Sequence, residues 1–127
     1  MYSPKLLDHF QNPRNVGELP PPAITVQVAN PACGDEMRLS VLFAAGKVRD
    51  ARYKVRGCTA SIAAGSATAE WLIDRTRDEL AALRPADIEL LVDGLAAESK
   101  HAAVICADAV KEILRSFNSP TGVPPGQ

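Results

Sequence analysis

The stretch RLSVLFAAGKVRDARYKVRGCTASIAAGSATAEWLI, residues 38–73, changes its hydrophobic period halfway along, and that change decides the fold. Leu39, Val41 and Phe43 alternate with Arg38 and Ser40, and Ala51, Tyr53 and Val55 alternate with Arg52, Lys54 and Arg56. Successive side chains of a strand point to opposite faces, so both segments read as half-buried strands with one apolar and one solvated face. Between them Ala44-Ala45-Gly46-Lys47 is short enough for a hairpin, with Gly46 supplying an unusual backbone angle, which makes the sheet at least partly antiparallel. After Cys58 the alternation stops. Alanine and serine dominate residues 59–73, and Ile62, Ala69, Leu72 and Ile73 are placed to face a core at helical period.

The flanks extend this order. Ile24, Val26 and Val28 alternate with Thr25 and Gln27 as a further strand. Ahead of it, Tyr2, Leu6, Leu7 and Phe10 have the spacing of a short amphipathic helix, with Pro4 tolerated in its first turn and Pro13 ending it. Residues 12–22, rich in proline, read as a loop. Downstream, Thr76 precedes Glu79 by three positions in a capping-box pattern, and Pro85 suits the first turn of another helix. Residues 99–117 form the longest helix, with Val104, Ile105, Ala109, Ile113 and Leu114 as its apolar stripe. Strands first and helices after imply an α+β fold: a small, mainly antiparallel three-stranded sheet with helices packed on one face. Residues 1–117 are expected to form one domain, and residues 118–127, with three prolines and two glycines, a disordered tail.

With 127 residues, 46% of them hydrophobic, the chain can bury roughly two-thirds of its unfolded surface. It therefore needs no structural metal or disulfide, and a bound metal would point to function. Fourteen Lys and Arg against fifteen Asp and Glu leave a net charge of -1, which argues against a nucleic-acid or anionic-membrane binder. Charged residues interrupt every apolar run before the ~20 residues a membrane-crossing helix needs. The first ten residues lack the basic and apolar regions of a secretory signal, so a cytoplasmic location is expected.

Three cysteines, Cys33, Cys58 and Cys106, are an odd number and a poor disulfide framework. Cys33 lies in Asn30-Pro31-Ala32-Cys33-Gly34-Asp35, where proline and glycine keep the thiol in a loop that can present Cys33 and Asp35 together. A thiolate and a carboxylate two residues apart can reach one cation, and soft sulfur favours zinc or an iron-sulfur cluster. Cys58 falls where the third strand gives way to a helix, and unpaired amides there stabilise a thiolate. His101 and Cys106, five residues apart on the last helix, are separated by ~140° of rotation, so both cannot point squarely at one site.

Three motifs give the chain a resemblance to a known family. They are Asp8-His9-Phe10-Gln11-Asn12-Pro13-Arg14-Asn15-Val16-Gly17, then Pro31-Ala32-Cys33-Gly34-Asp35, then Gly57-Cys58 with its small-residue helix. With Gly46-Lys47-Val48 and Asp50-Ala51 they resemble the U-type iron-sulfur cluster scaffolds: IscU, SufU and the N-terminal domain of NifU. The likeness covers residues 2–117. It implies a scaffold or carrier, not an enzyme in its own right, that holds a transient 2Fe-2S cluster and passes it to apo-proteins. The implied partners are a cysteine desulfurase, apo iron-sulfur clients, a chaperone and a second copy of the chain, with no nucleic acid and no membrane.

The resemblance carries the ligand roles to Cys33, Asp35 and Cys58. At the family's third cysteine this chain has Ala102, preceded by His101. Cys106, four residues later, is displaced by one turn, ~6 Å along the helix and ~40° around it. The resemblance thus implies a cluster on Cys33, Asp35 and Cys58, with Cys106 as the displaced candidate for the fourth ligand and His101 as the other residue able to stand in for it. The alternatives are zinc on Cys33, Asp35, Cys58 and His101 in a protein that docks on or regulates a desulfurase, or a persulfide relay through Cys58 or Cys106.

Overall fold

The computed structural model describes residues 2–31 and 34–117. Cys33 and the expected tail at 118–127 lie outside the described residues. In chain order the elements are α1 (Pro4–Gln11), β1 (Ile24–Asn30), β2 (Asp35–Ala44), β3 (Lys47–Arg56), α2 (Thr59–Leu72), α3 (Arg77–Ala82) and α4 (Pro85–Leu91). A 3-10 turn (Ala97–Ser99) then leads into α5 (His101–Phe117). The strands pair in the order β1-β2-β3 and are antiparallel throughout. The α+β expectation holds. No helix among the described residues is long and apolar enough to cross a membrane.

The hairpin between β2 and β3 turns on Ala45 (φ 55) and Gly46 (φ 80). Two successive left-handed residues give the turn that matches the natural twist of paired strands, so Ala45 shares the strain expected of Gly46 alone. At the other end β2 starts earlier than the alternation suggested. Asp35 pairs with Asn30 and belongs to the sheet, not to the loop where its neighbours had placed it. β1 runs to Asn30 and β2 resumes at Asp35, with the Gly34 N–H donating to the Asn30 carbonyl at 2.8 Å.

One face of the sheet buries Ile24, Met37, Leu39, Val41, Ala51 and Tyr53, while Gln27, Arg38 and Lys54 project from the other. Helices α2 and α5 cover the apolar face. α2 is buried on nearly every side, because it is wedged among β3, α1, α4 and α5. The expected stripe holds at Ala69 and Leu72, which are fully buried, and at Ile73, which packs half-buried against the core; Ile62 departs from it, and the small residues Ala60, Ala63, Ala64, Gly65 and Ala67 widen the buried surface. Gly65 is required by packing, since a Cβ there would sit 2.7 Å from the Tyr53 ring and 3.1 Å from Val55. The Tyr53 hydroxyl donates to the Ile62 carbonyl at 3.1 Å, and burial pushes its pKa up to about 12.

Two further stripes are corrected. On α5 Val104 is 41% exposed, and the buried face is Ala102, Ala103, Ile105, Cys106, Ala107, Ala109, Val110 and Ile113, broad because sheet and helices flank it. On α1 Leu6 and His9 turn inward, while Tyr2, Leu7 and Phe10 are exposed. A polar ring can take that inward position because its hydrogen bonds are met. His9 Nδ1 lies 2.9 Å from Ser66 Oγ and 3.0 Å from Arg14 Nη1. A guanidinium only donates, so Nδ1 accepts and Nε2 carries the proton, 3.8 Å from Glu70 Oε1.

Burial first and the Arg14 charge second lower the His9 pKa below its ordinary 6.5, against the opposing pull of Glu70 and Asp8. The unfolded chain then takes up the proton that the fold refuses. This histidine's contribution to stability is fully present above pH 6.5 and is lost as pH falls through the lower folded value. Urea midpoints at pH 7 and pH 5 should therefore drop more for the wild type than for His9→Gln. Equal drops would remove His9 as the cause.

Candidate metal centre

Three element starts meet at one point. β3 ends at Arg56, its last pairing residue, opposite Glu36, so Asp35 at the head of β2 lies beside Gly57. Cys58 then caps α2 in extended conformation (φ -75, ψ 169) and accepts the Ile62 N–H on its carbonyl at 3.1 Å. Its thiol makes no capping bond and is left for other work. His101 opens α5, and the preceding Lys100 is anchored to Glu89 at 2.7 Å.

The distances define one cluster. His101 Nε2 lies 3.4 Å from Cys58 Sγ and 3.4 Å from Asp35 Oδ2, and Cys58 Sγ lies 3.6 Å from the same oxygen. The three ligand atoms all fall within 4.8 Å of one another. Ser61 Oγ donates to Asp35 Oδ2 at 2.5 Å and sits 3.4 Å from Cys58 Sγ. Asp35 is 5% exposed, and its carboxylate fits only because residue 57 has no side chain: a Cβ there would stand 2.6 Å from Asp35 Cγ and 2.8 Å from each oxygen. The His101 side chain is 25% exposed, so the cluster has a side open to solvent. Thiol, imidazole and carboxylate together suit a borderline-soft cation such as zinc or iron.

The structure thus brings Asp35, Cys58 and His101 together. Cys33 is outside the described residues, two positions before Asp35 in the chain. Cys106 is elsewhere: it is wholly buried in the core and absent from this cluster, and burial pushes its thiol up to about 12, offset only in part by the neighbouring Thr68 hydroxyl. The rotation that separates it from His101 places the imidazole at the cluster and the thiol in the apolar interior. Ala102, to which the resemblance carries the family's third cysteine, is also fully buried. The sequence marks Gly57 only as part of a motif and Ser61 only as part of a small-residue helix, and gives neither a role at this cluster. The signal for Ser61 was its place three residues after Cys58 in a helix start, which puts both on one side.

An antiparallel sheet roofed by helices, with a thiol, a carboxylate and an imidazole converging where β2, α2 and α5 begin, defines a class of small α+β domain with a mixed-donor site. The chain belongs to the NifU-like N-terminal domain family, whose sequence profile matches residues 1–122. It is 37% identical to the iron-sulfur cluster assembly scaffold protein IscU of Azotobacter vinelandii, over 96% of this chain and 98% of that protein. The corresponding scaffold of Escherichia coli strain K12 is 35% identical over 93% of this chain and 94% of its own. Among solved structures, the NifU-like N-terminal protein of Brucella abortus superposes with a TM-score of 0.60 at 26% identity, covering 88% of this chain and 79% of that one. A SUF-system scaffold from Fervidobacterium islandicum, at 23% identity and a TM-score of 0.61, covers 90% of this chain and 85% of its own and shares the fold.

Proposed function

We propose that this protein is a scaffold or carrier that holds iron and sulfide as a 2Fe-2S cluster on Cys33, Asp35, Cys58 and His101 and passes the cluster to apo-proteins. The observation that carries the assignment of the last ligand is the position of His101 Nε2, 3.4 Å from both Cys58 Sγ and Asp35 Oδ2. The role is supported by relatives named as iron-sulfur cluster assembly scaffolds. Two thiolates hold a soft centre firmly, whereas a carboxylate and an imidazole hold it less so, and a cargo must be able to leave. Sulfur would come from a cysteine desulfurase and the cluster would go to apo clients, with a chaperone to assist release, in the cytoplasm and without a turnover reaction on the scaffold itself.

Anaerobic reconstitution with iron and sulfide tests this. A brown protein with thiolate-to-iron absorption is expected. Cys106→Ala should give the same cluster yield at a cost of about 1 kcal/mol in stability, the effect of trimming one buried atom. A second reading rests on the same donor set, because two thiolates, one imidazole and one carboxylate are also the four ligands of a tetrahedral zinc site. A colourless protein that retains zinc through reconstitution would favour that reading and sink the cluster.

A further inference from the structure

We propose that Ser61 is a positioning residue of this centre: its hydroxyl holds Asp35 Oδ2 in place when the neighbouring groups are engaged by metal. The inference rests on the metal-centre reading above and assigns a role to a residue outside the ligand set. Ser61 is wholly buried, in the first turn of α2, and directs its hydroxyl across to β2, where it donates to Asp35 Oδ2 at 2.5 Å.

Three groups crowd that oxygen: Ser61 Oγ, His101 Nε2 at 3.4 Å and Cys58 Sγ at 3.6 Å. In the free protein any of them can donate a proton toward it. Once sulfur and nitrogen turn to a cation as ligands they present lone pairs and no longer donate. Of the three, only the serine hydroxyl keeps a hydrogen to give. A carboxylate ligand lacking such a bond is free to swing, and outer partners of metal ligands commonly account for ~10- to 100-fold in affinity. The hydroxyl is not needed for the helix cap. A third residue of a first turn often reaches back to the capping amide, but here that reach is spent on Asp35.

Co(II) is a suitable probe, because thiolate-to-cobalt charge transfer reports sulfur ligation and the ligand-field bands report coordination geometry. The wild type should bind Co(II) with both signatures. Ser61→Ala should keep the charge-transfer band, shift the ligand-field bands and weaken Co(II) binding ~10- to 100-fold. Ser61→Thr, which restores a hydroxyl, should recover the wild-type spectrum. Ser66→Ala removes another wholly buried hydroxyl of the same helix, bonded instead to His9 and to the Arg14 amide, and should leave spectrum and affinity unchanged. If Ser61→Ala matches the wild type in both readouts, or Ser66→Ala weakens binding as much, the positioning role is overturned while the metal centre stands. If the wild type shows no thiolate charge transfer, the centre itself falls.

Discussion

His101→Ala is expected to weaken zinc or Co(II) binding by ~10- to 100-fold or more, while Cys106→Ala leaves it unchanged. Losing an outer partner of a ligand already costs ~10- to 100-fold, so losing a donor should cost no less. The contrast follows from where α5 begins. His101 is its first residue, with Nε2 at 3.4 Å from the thiol and the carboxylate of the other two groups. Cys106 is wholly buried beside Thr68, and its thiol is pushed up to about 12. To serve as a ligand it would have to lose its proton and leave the core, which would require α5 to turn or to unwind its first turn. Competition against a chromophoric chelator reads both affinities on one scale. Loss of binding in Cys106→Ala with His101→Ala intact would reverse the ligand assignment and imply that α5 moves on metal binding.

The sequence resolved the parts of this molecule that local rules govern. Alternation places Leu39, Val41, Ala51 and Tyr53 on the buried face because the strand period is fixed by backbone geometry. The Thr76–Glu79 capping box forms as written, since both partners lie within one helical turn. Stripes were less secure. Val104 satisfies a helical period and yet faces water, because the period says which residues share a face but not which face the sheet will cover. His9 is the opposite case: it is polar and nonetheless buried, and its acceptability depends on Ser66, 57 positions away.

The site divides in the same manner. Cys58 at a strand-to-helix junction and Asp35 beside a loop cysteine were legible as candidates from residue type, neighbours and resemblance, and the fold brings the two within 3.6 Å. What could not be read was distance. His101 and Cys106 lie on one helix and differ in rise and rotation alone, and the choice between them requires knowing where that helix starts relative to β2. Ser61 and Gly57 contribute through a hydroxyl reaching another strand and through space left empty. Neither leaves a mark in composition or period.

Gly57→Ala should leave the metal-free fold nearly intact and weaken metal binding by ~5- to 150-fold. Its new Cβ would stand 2.6 Å from Asp35 Cγ and 2.8 Å from both carboxylate oxygens, closer than carbon approaches such atoms. Without metal, the carboxylate can turn aside to relieve the contact, and the residue gains the ~0.4 to 1 kcal/mol that replacing glycine brings through the unfolded chain. Metal binding requires the carboxylate in its place beside Ser61 and His101, so an overpacking cost of ~1 to 3 kcal/mol falls chiefly on the bound state, while the metal-free protein gives up the Ser61 bond to Asp35. At 1.4 kcal/mol per tenfold, that corresponds to the expected loss in affinity. The same substitution made in an Asp35→Ala background should change affinity little, because the atoms it strikes are gone. An equal loss with and without Asp35 would mean that residue 57 acts on Cys58 or on the helix start instead, and the close approach of glycine to carboxylate would no longer explain why the centre forms.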